Sequence, residues 1–162
     1  MATKGTPAMD AIAVLKQDHR AIESLFKEFE RTGEKEKRRR KKLVKQIVGE
    51  LSMHAQIEEQ VFYPEVLGTA KEKELTHKAM EEHDLIKVLL EQLKPMTPEE
   101  ERFSSKVSVL IDLARDHIRD EERAMFPKVR KALTRMQLQD LGARLEEGKK
   151  AIQSPRDYLR MN

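Results

Sequence analysis

Two stretches of this chain are spelled alike, and they constrain its fold more than anything else in it. They are His54-Ala-Gln-Ile-Glu58-Glu59, running on to Phe62-Tyr63-Pro64, and His117-Ile-Arg-Asp-Glu121-Glu122, running on to Met125-Phe126-Pro127. In each, a His and a Glu stand four residues apart. On an α-helix that spacing leaves them about 40° apart in azimuth and one turn apart along the axis, so both side chains reach one point. Imidazole and carboxylate both ligate iron, manganese or zinc. Glu is abundant here, so a single copy would say little, and the recurrence carries the argument.

A second pair recurs at nearly the same offset. Asp18-His19-Arg-Ala-Ile22 and Glu82-His83-Asp-Leu-Ile86 lie 64 residues apart, while His54 and His117 lie 63 apart. The chain reads as one helical hairpin written twice, each copy carrying a lone His on its first helix and the His-x-x-x-Glu pair on its second. Such a repeat implies a pseudo-twofold arrangement.

Apolar residues recur at helical steps on either side of these positions. Asp10 is the expected N-cap of a first helix with Ile12, Leu15, His19, Ile22, Phe26 and Phe29 on one stripe, ending near Thr32-Gly33. A second helix opens in the charged segment 34–42 and carries Ile47, Leu51, His54, Glu58 and Val61, with Pro64 and Gly68 placing its end between Tyr63 and Leu67. A third aligns Ala79, His83, Ile86, Leu90 and Leu93 before Pro95. The fourth, opening at Glu99 or Glu100, aligns Phe103, Val107, Leu110, Ala114, His117, Glu121 and Ala124 and stops near Pro127. A shorter amphipathic helix is expected from Thr134 to about Gln153, packed on the bundle through Leu138, Leu141, Leu145 and Ile152. The expected organisation is a disordered leader (1–8), a bundle domain (9–130), and a C-terminal helix with a loose tail from Ser154 (131–162).

Each of the four long helices thus puts an ionisable group on its apolar stripe, where an unpaired charge is strongly disfavoured and a neutral imidazole needs hydrogen-bond partners. Four helices making one costly choice need a common cause. A pair of metal ions supplies it, making carboxylates favourable as anions and holding imidazoles neutral. The candidate ligands are His19, His54, Glu58, His83, His117 and Glu121. Taken singly, His19 or His83 reads more readily as a hydrogen-bonded core residue, and the pair of His117 and Glu121 reads equally as a surface salt link. His77 falls about 120° around the helix from His83 and reads as a surface residue or one behind the ligands. Glu59 and Glu122 either compete with Glu58 and Glu121 or face solvent. Tyr63 reads first as helix-end packing, with hydrogen-bond or electron donation as the sharper alternative.

Composition narrows the class. At 162 residues, with 38% hydrophobic and 38% charged content, the chain suits a single soluble, highly helical domain. The absence of Cys excludes disulfides and thiolate ligation. No apolar run resembles a signal peptide or reaches membrane-spanning length, so a cytoplasmic location is expected. A net charge of +3 does not itself argue for nucleic acid. The basic run within 35–42 reads as a solvated helix face before it reads as a phosphate-backbone contact.

In order, His19, His54 with Glu58, His83, and His117 with Glu121, extended by the Glu-Glu and aromatic-Pro elements after each pair, resemble the hemerythrin-like or HHE cation-binding domains over residues 9–130. The resemblance implies an all-α, up-down four-helix bundle, here with an additional C-terminal helix, holding two non-haem iron ions. By position, His19 and His54 would ligate one iron and His83 and His117 the other. Glu58 and Glu121 would bridge them beside an oxo or hydroxo bridge. The chain departs from the oxygen-carrying members in two places. Their further third-helix His corresponds to Ala79, and their fourth-helix carboxylate lies five residues after its His, a position held here by Glu122. A plain reversible oxygen carrier therefore fits less well than redox chemistry or sensing.

The leading expectation is a di-iron protein that binds or reacts with O2, peroxide or NO, as in a stress response that decomposes peroxide, with Ile22, Phe26, Phe62 and Phe126 excluding water. The alternative is an iron- or oxygen-responsive module acting through a partner surface. A ferritin-like oxidase would want Glu-x-x-His twice, and only Glu74 with His77 fits it. A zinc hydrolase lacks its His-Glu-x-x-His.

Overall fold

The computed structural model describes residues 9–152. Its helices are α1 (Ala11–Glu30), α2 (Lys37–Ile57), α3 (Tyr63–Glu65), α4 (Lys73–Leu93), α5 (Phe103–Asp120), α6 (Phe126–Ala132) and α7 (Arg135–Ala151). Three π-helical turns, Glu58–Phe62, Val66–Ala70 and Glu121–Met125, join α2 to α3, end α3, and join α5 to α6. The described residues contain no strand. The long helices α1, α2, α4 and α5 form a closed bundle in which each touches the next and α5 returns to α1. The leader 1–8 and the tail from Ser154 lie outside the described residues.

The helix starts follow local capping. Asp10 Oδ1 accepts from the Ala13 amide at 2.8 Å, and Thr134 opens α7 in a reciprocal capping box with Gln137. Three boundaries differ from the sequence expectation. Residues 99–102 form a turn, with the Thr97 amide donating to Glu100 Oε2, and α5 starts at Phe103. Neither Pro64 nor Pro127 stops its helix. In front of each, a π turn sends the Tyr63 amide to the Glu58 carbonyl and the Phe126 amide to the Glu121 carbonyl, five residues back. The register shift falls where the following Pro has no N–H to donate, so the helix continues as α3 or α6. The α3 path runs on through Gly68 to Lys71, which closes it in the left-handed conformation at φ 57°.

The core is two apolar clusters with a polar layer between them. One cluster joins Ile12, Leu15, Phe62, Val66, Phe126 and Val129 to Leu138, Leu141 and Leu145 of α7. The other joins Ile22, Phe26, Ile47, Leu51, Ile86, Leu90, Phe103 and Leu110 at the opposite end. Helix α7 lies against α1 at a close crossing, where a Cβ on Gly142 would come within 2.2 Å of the Met9 carbonyl oxygen, so only Gly fits. Of the basic run, Arg40 is structural. Its guanidinium donates to Thr32 and Ser104 and lies over Phe29, fastening the α1–α2 connection.

A candidate metal centre between two halves

The layer between the clusters holds all six residues singled out in the sequence. His19, His54, Glu58, His83, His117 and Glu121 are buried, none more than 4% exposed. They arrive there because each sits one helical step from an apolar residue of the clusters: His19 between Leu15 and Ile22, His83 between Ala79 and Ile86, His54 after Leu51 and His117 after Ala114. The imidazoles form two pairs. His19 Nε2 and His54 Nε2 are 3.1 Å apart, and His83 Nε2 and His117 Nε2 are 3.0 Å apart. Between the pairs stand the carboxylates. Glu58 Oε1 is 2.6 Å from His54 Nε2 and 3.7 Å from His83 Nε2. Glu121 Oε1 is 2.8 Å from His117 Nε2 and 3.7 Å from His19 Nε2. Each Glu therefore faces its own helix's His and one His of the opposite pair.

Behind each imidazole stands a further carboxylate from another helix: Asp18 and Glu82 act within their own hairpin, and Glu59 and Glu122 reach across to the other. Asp18, beside His19, faces His54 Nδ1 at 3.1 Å, while Glu122, beside Glu121, faces His19 Nδ1 at 3.6 Å. In the other half Glu59 faces His83 Nδ1 at 3.2 Å and Glu82 faces His117 Nδ1 at 3.7 Å. Carboxylates in that position fix the ring orientation of a metal-ligating His and raise its basicity. Glu59 and Glu122 thus act on Nδ1 and do not compete with Glu58 and Glu121 at the centre. Sequence reasoning quoted these acids without giving them this role. Their signal is the acid directly before the first-helix His and directly after the second-helix Glu, in both copies.

Tyr63 belongs to the site, not to helix-end packing. Its buried hydroxyl is 3.1 Å from His83 Nε2 and 3.4 Å from His117 Nε2, and it donates to Glu121 Oε2 at 3.2 Å. The π turn sets this, carrying Tyr63 into the layer five residues after Glu58. At the equivalent place in the other half is Phe126, stacked on His19 with ring centroids 5.8 Å apart. Phe62 meets Phe126 edge-on, closing that side to water. His77 is exposed, away from the layer.

Electrostatics separates the two central carboxylates when no cation is counted. Burial, then the Glu121 charge, pushes Glu58 well above the usual carboxylate range. Burial also acts upward on Glu121, but the His117 imidazolium and the adjacent Glu58 carboxyl outweigh it and hold Glu121 well below that range. Burial lowers His117, yet the Glu121 charge against it prevails and raises it. His19 and His83 are lowered, chiefly by burial. Both oxygens of Glu58 and Oε1 of Glu121 are buried without a hydrogen-bond partner. Native interiors rarely leave such atoms unsatisfied.

A cation answers that deficit. One donor group joins His19, His54, Glu58 and Glu121, and a second joins Glu58, His83 and His117; within each, the ligand atoms lie within 4.8 Å of one another. Nitrogen and oxygen donors without sulfur suit iron, manganese or zinc. The residues are positioned for metal binding and the donor chemistry fits.

The comparisons agree with this geometry. The chain is 31% identical over 140 residues to a protein of Nostoc named as a DNA nickase, covering 86% of this chain and 39% of that one, so it spans well under half of that relative. It is 28% identical to an uncharacterised hemerythrin-like protein of Schizosaccharomyces pombe over 92% of this chain and 72% of the other. Among solved structures it is similar to a hemerythrin HHE cation-binding domain-containing protein of Mycobacterium kansasii, with a TM-score of 0.74 and 25% identity, covering 88% of this chain and 89% of that one. The family model of the hemerythrin HHE cation-binding domain matches residues 10–129, the stretch that carries both hairpins and all six layer residues. The chain belongs to the hemerythrin HHE cation-binding domain family.

Proposed function

We propose that the layer holds two iron ions, one at His19 and His54 and one at His83 and His117, bridged by Glu58 and Glu121, and that the centre reacts with O2, peroxide or NO. The observation that carries this reading is the set of three unpartnered, fully buried carboxylate oxygens among four imidazoles. Iron, when bound, supplies a redox couple and open positions for a small oxygen or nitrogen ligand. The chain's residues do the rest. The imidazoles and central carboxylates set charge and spacing, the four outer carboxylates hold each ring in orientation, and Phe62 and Phe126 restrict water. Tyr63 offers a hydroxyl on one side only, beside His83 and His117.

Anaerobic Fe(II) titration tests the reading. Saturation at about two irons per chain, followed by near-ultraviolet oxo-bridge absorption on admitting air, supports it. Stoichiometric failure to bind, with the helical spectrum intact, removes it, and peroxide and NO consumption are then assayed only on protein that passes. A second reading, an iron-responsive module acting through a partner, draws on the Nostoc relative named as a DNA nickase. It would use the exposed cations of 35–42 other than Arg40, and metal-dependent retention on DNA at moderate salt decides it.

A further inference from the structure

The internal repeat leaves a groove on either side of the bundle, each beside one imidazole pair. One, of about 400 Å³ between α2 and α4, is lined by Ser52, Gln56, Glu59, Gln60 and Lys87. The other, of about 490 Å³ between α1 and α5, is lined by Arg20, Arg115, Arg119, Glu122 and Arg123, with His19 in its floor. The offset of 63 residues maps Ser52, Gln56, Glu59 and Gln60 onto Arg115, Arg119, Glu122 and Arg123. The two grooves are therefore one piece of backbone used twice. The acid under each is kept, Glu59 on His83 and Glu122 on His19, while three neutral side chains of one groove are arginines in the other.

The plain reading is a solvated helix face with paired charges, and part of the set obeys it. Arg115 is held by Glu23 and Glu30 at 2.9 and 2.6 Å, and Arg119 meets Asp116 at 3.0 Å. Arg20 and Arg123 form neither a hydrogen bond nor an ion pair among the described residues. Arg115, Arg119 and Arg123 also follow one another at four-residue steps, where like charges on a helix disfavour one another. The cationic surplus lines an open groove from two helices, outnumbers the carboxylates Glu23 and Glu122 there, and is absent from the sister groove. Guanidinium groups match the geometry of phosphate oxygens in a fork, which an ammonium does not.

We propose that the α1/α5 groove is a docking site for a phosphate group, held by Arg119 and Arg123 from one wall and Arg20 from the other. The groove is large enough to take more of a ligand than the phosphate alone. The site does not depend on metal, and its position over His19 and Glu122 places a bound phosphate beside the His19/His54 position and not the other.

The test is calorimetric titration of the full chain, metal-free and metal-loaded, with inorganic phosphate, pyrophosphate and a short single-stranded oligonucleotide at fixed ionic strength. The key variant is Arg119→Gln with Arg123→Gln, which installs the side chains the sister groove already carries, with thermal melting as the folding control. A variant in the basic run, Lys37→Gln with Arg38→Gln, is the surface comparison. Saturable binding that weakens at least about tenfold in the groove variant and persists in the basic-run variant is expected. Phosphate or pyrophosphate binding identifies a small phosphorylated ligand, and binding of the oligonucleotide alone identifies a nucleic-acid phosphate. No saturable binding by wild type, unchanged binding in the groove variant, or loss confined to the basic-run variant overturns the proposal.

Discussion

Replacing Glu58 by Met separates what the polar layer does for the fold from what it does for a metal. Glu58 is fully buried, both of its oxygens lack hydrogen-bond partners, and its carboxyl is held well above the usual range by burial and by Glu121. Met has similar volume and no group that needs satisfying. Exchanging buried ionic groups for well-packed apolar ones is often neutral or stabilising by about 1–4 kcal/mol. We expect Glu58→Met to stabilise the metal-free protein by about 2 kcal/mol, a rise in melting temperature of about 4–8 °C for a chain of this size. With metal the order reverses. The wild type gains about 4 kcal/mol at a free metal concentration about 1,000 times Kd, and the variant loses that gain. The pH dependence has a definite sign. A carboxyl whose folded pKa is raised contributes its stability below the unfolded value and loses it as pH rises through the folded one. The advantage of the variant over metal-free wild type should therefore shrink as pH is lowered toward 4.5. Scanning calorimetry of chelator-treated and Fe(II)-loaded protein across that range measures all of this. A metal-free variant no more stable than wild type at pH 7 would show that the carboxylate is satisfied by the protein alone, and the argument for a cation would fail.

Three further outcomes follow from the same geometry. Asp18→Ala removes the acceptor at His54 Nδ1 and the partner of Lys149, so metal affinity should fall about 10–100-fold in competition with a chelator; equal affinity refutes an orienting role. Tyr63→Phe copies the residue of the other half and loses the bond to Glu121, which should cost the metal-free fold about 1 kcal/mol in chemical denaturation; no change would detach Tyr63 from the layer. Metal uptake at neutral pH should release at least one proton per chain, because His117 is raised to about 11 without metal and must lose its proton to ligate; buffer-dependent calorimetric heats count the release, and a value near zero contradicts that shift.

The bundle and its polar layer were legible because both obey one rule, helical periodicity, and because the repeat wrote the rule twice. Every His and Glu set on an apolar stripe lies in the layer. The ends of α2 and α5 were misread for a physical reason. Proline signals the loss of a backbone donor, and a π turn placed immediately before it absorbs that loss without ending the helix. The same turn hid the place of Tyr63, since at α-helical spacing a residue five positions after Glu58 points elsewhere. The crosswise carboxylates were hidden by distance. The pairings Asp18 with His54 and Glu59 with His83 join residues on different helices, which periodicity along one helix cannot pair.

The repeat makes two imidazole pairs that share a backbone plan but not an environment. Within each imidazole pair one ring is held tightly and one loosely. His54 and His83 have carboxylates at 3.1 and 3.2 Å, and these acids are in turn paired with Lys149 and Lys87. His19 and His117 face theirs at 3.6 and 3.7 Å, where the contact is electrostatic and no longer a hydrogen bond. Lys149 belongs to α7, so the helix outside the bundle reaches the His19/His54 side through Asp18, whereas the other side draws its lysine from α4. Tyr63 adds a hydroxyl to one side and Phe126 an apolar ring to the other. Hydrogen bonding and dielectric around each ligand tune the potential of the ion it holds. If the proposed two ions are held here, these side chains would give them unequal surroundings and hence unequal potentials. Equal potentials for the two ions would contradict the asymmetry that these side chains create.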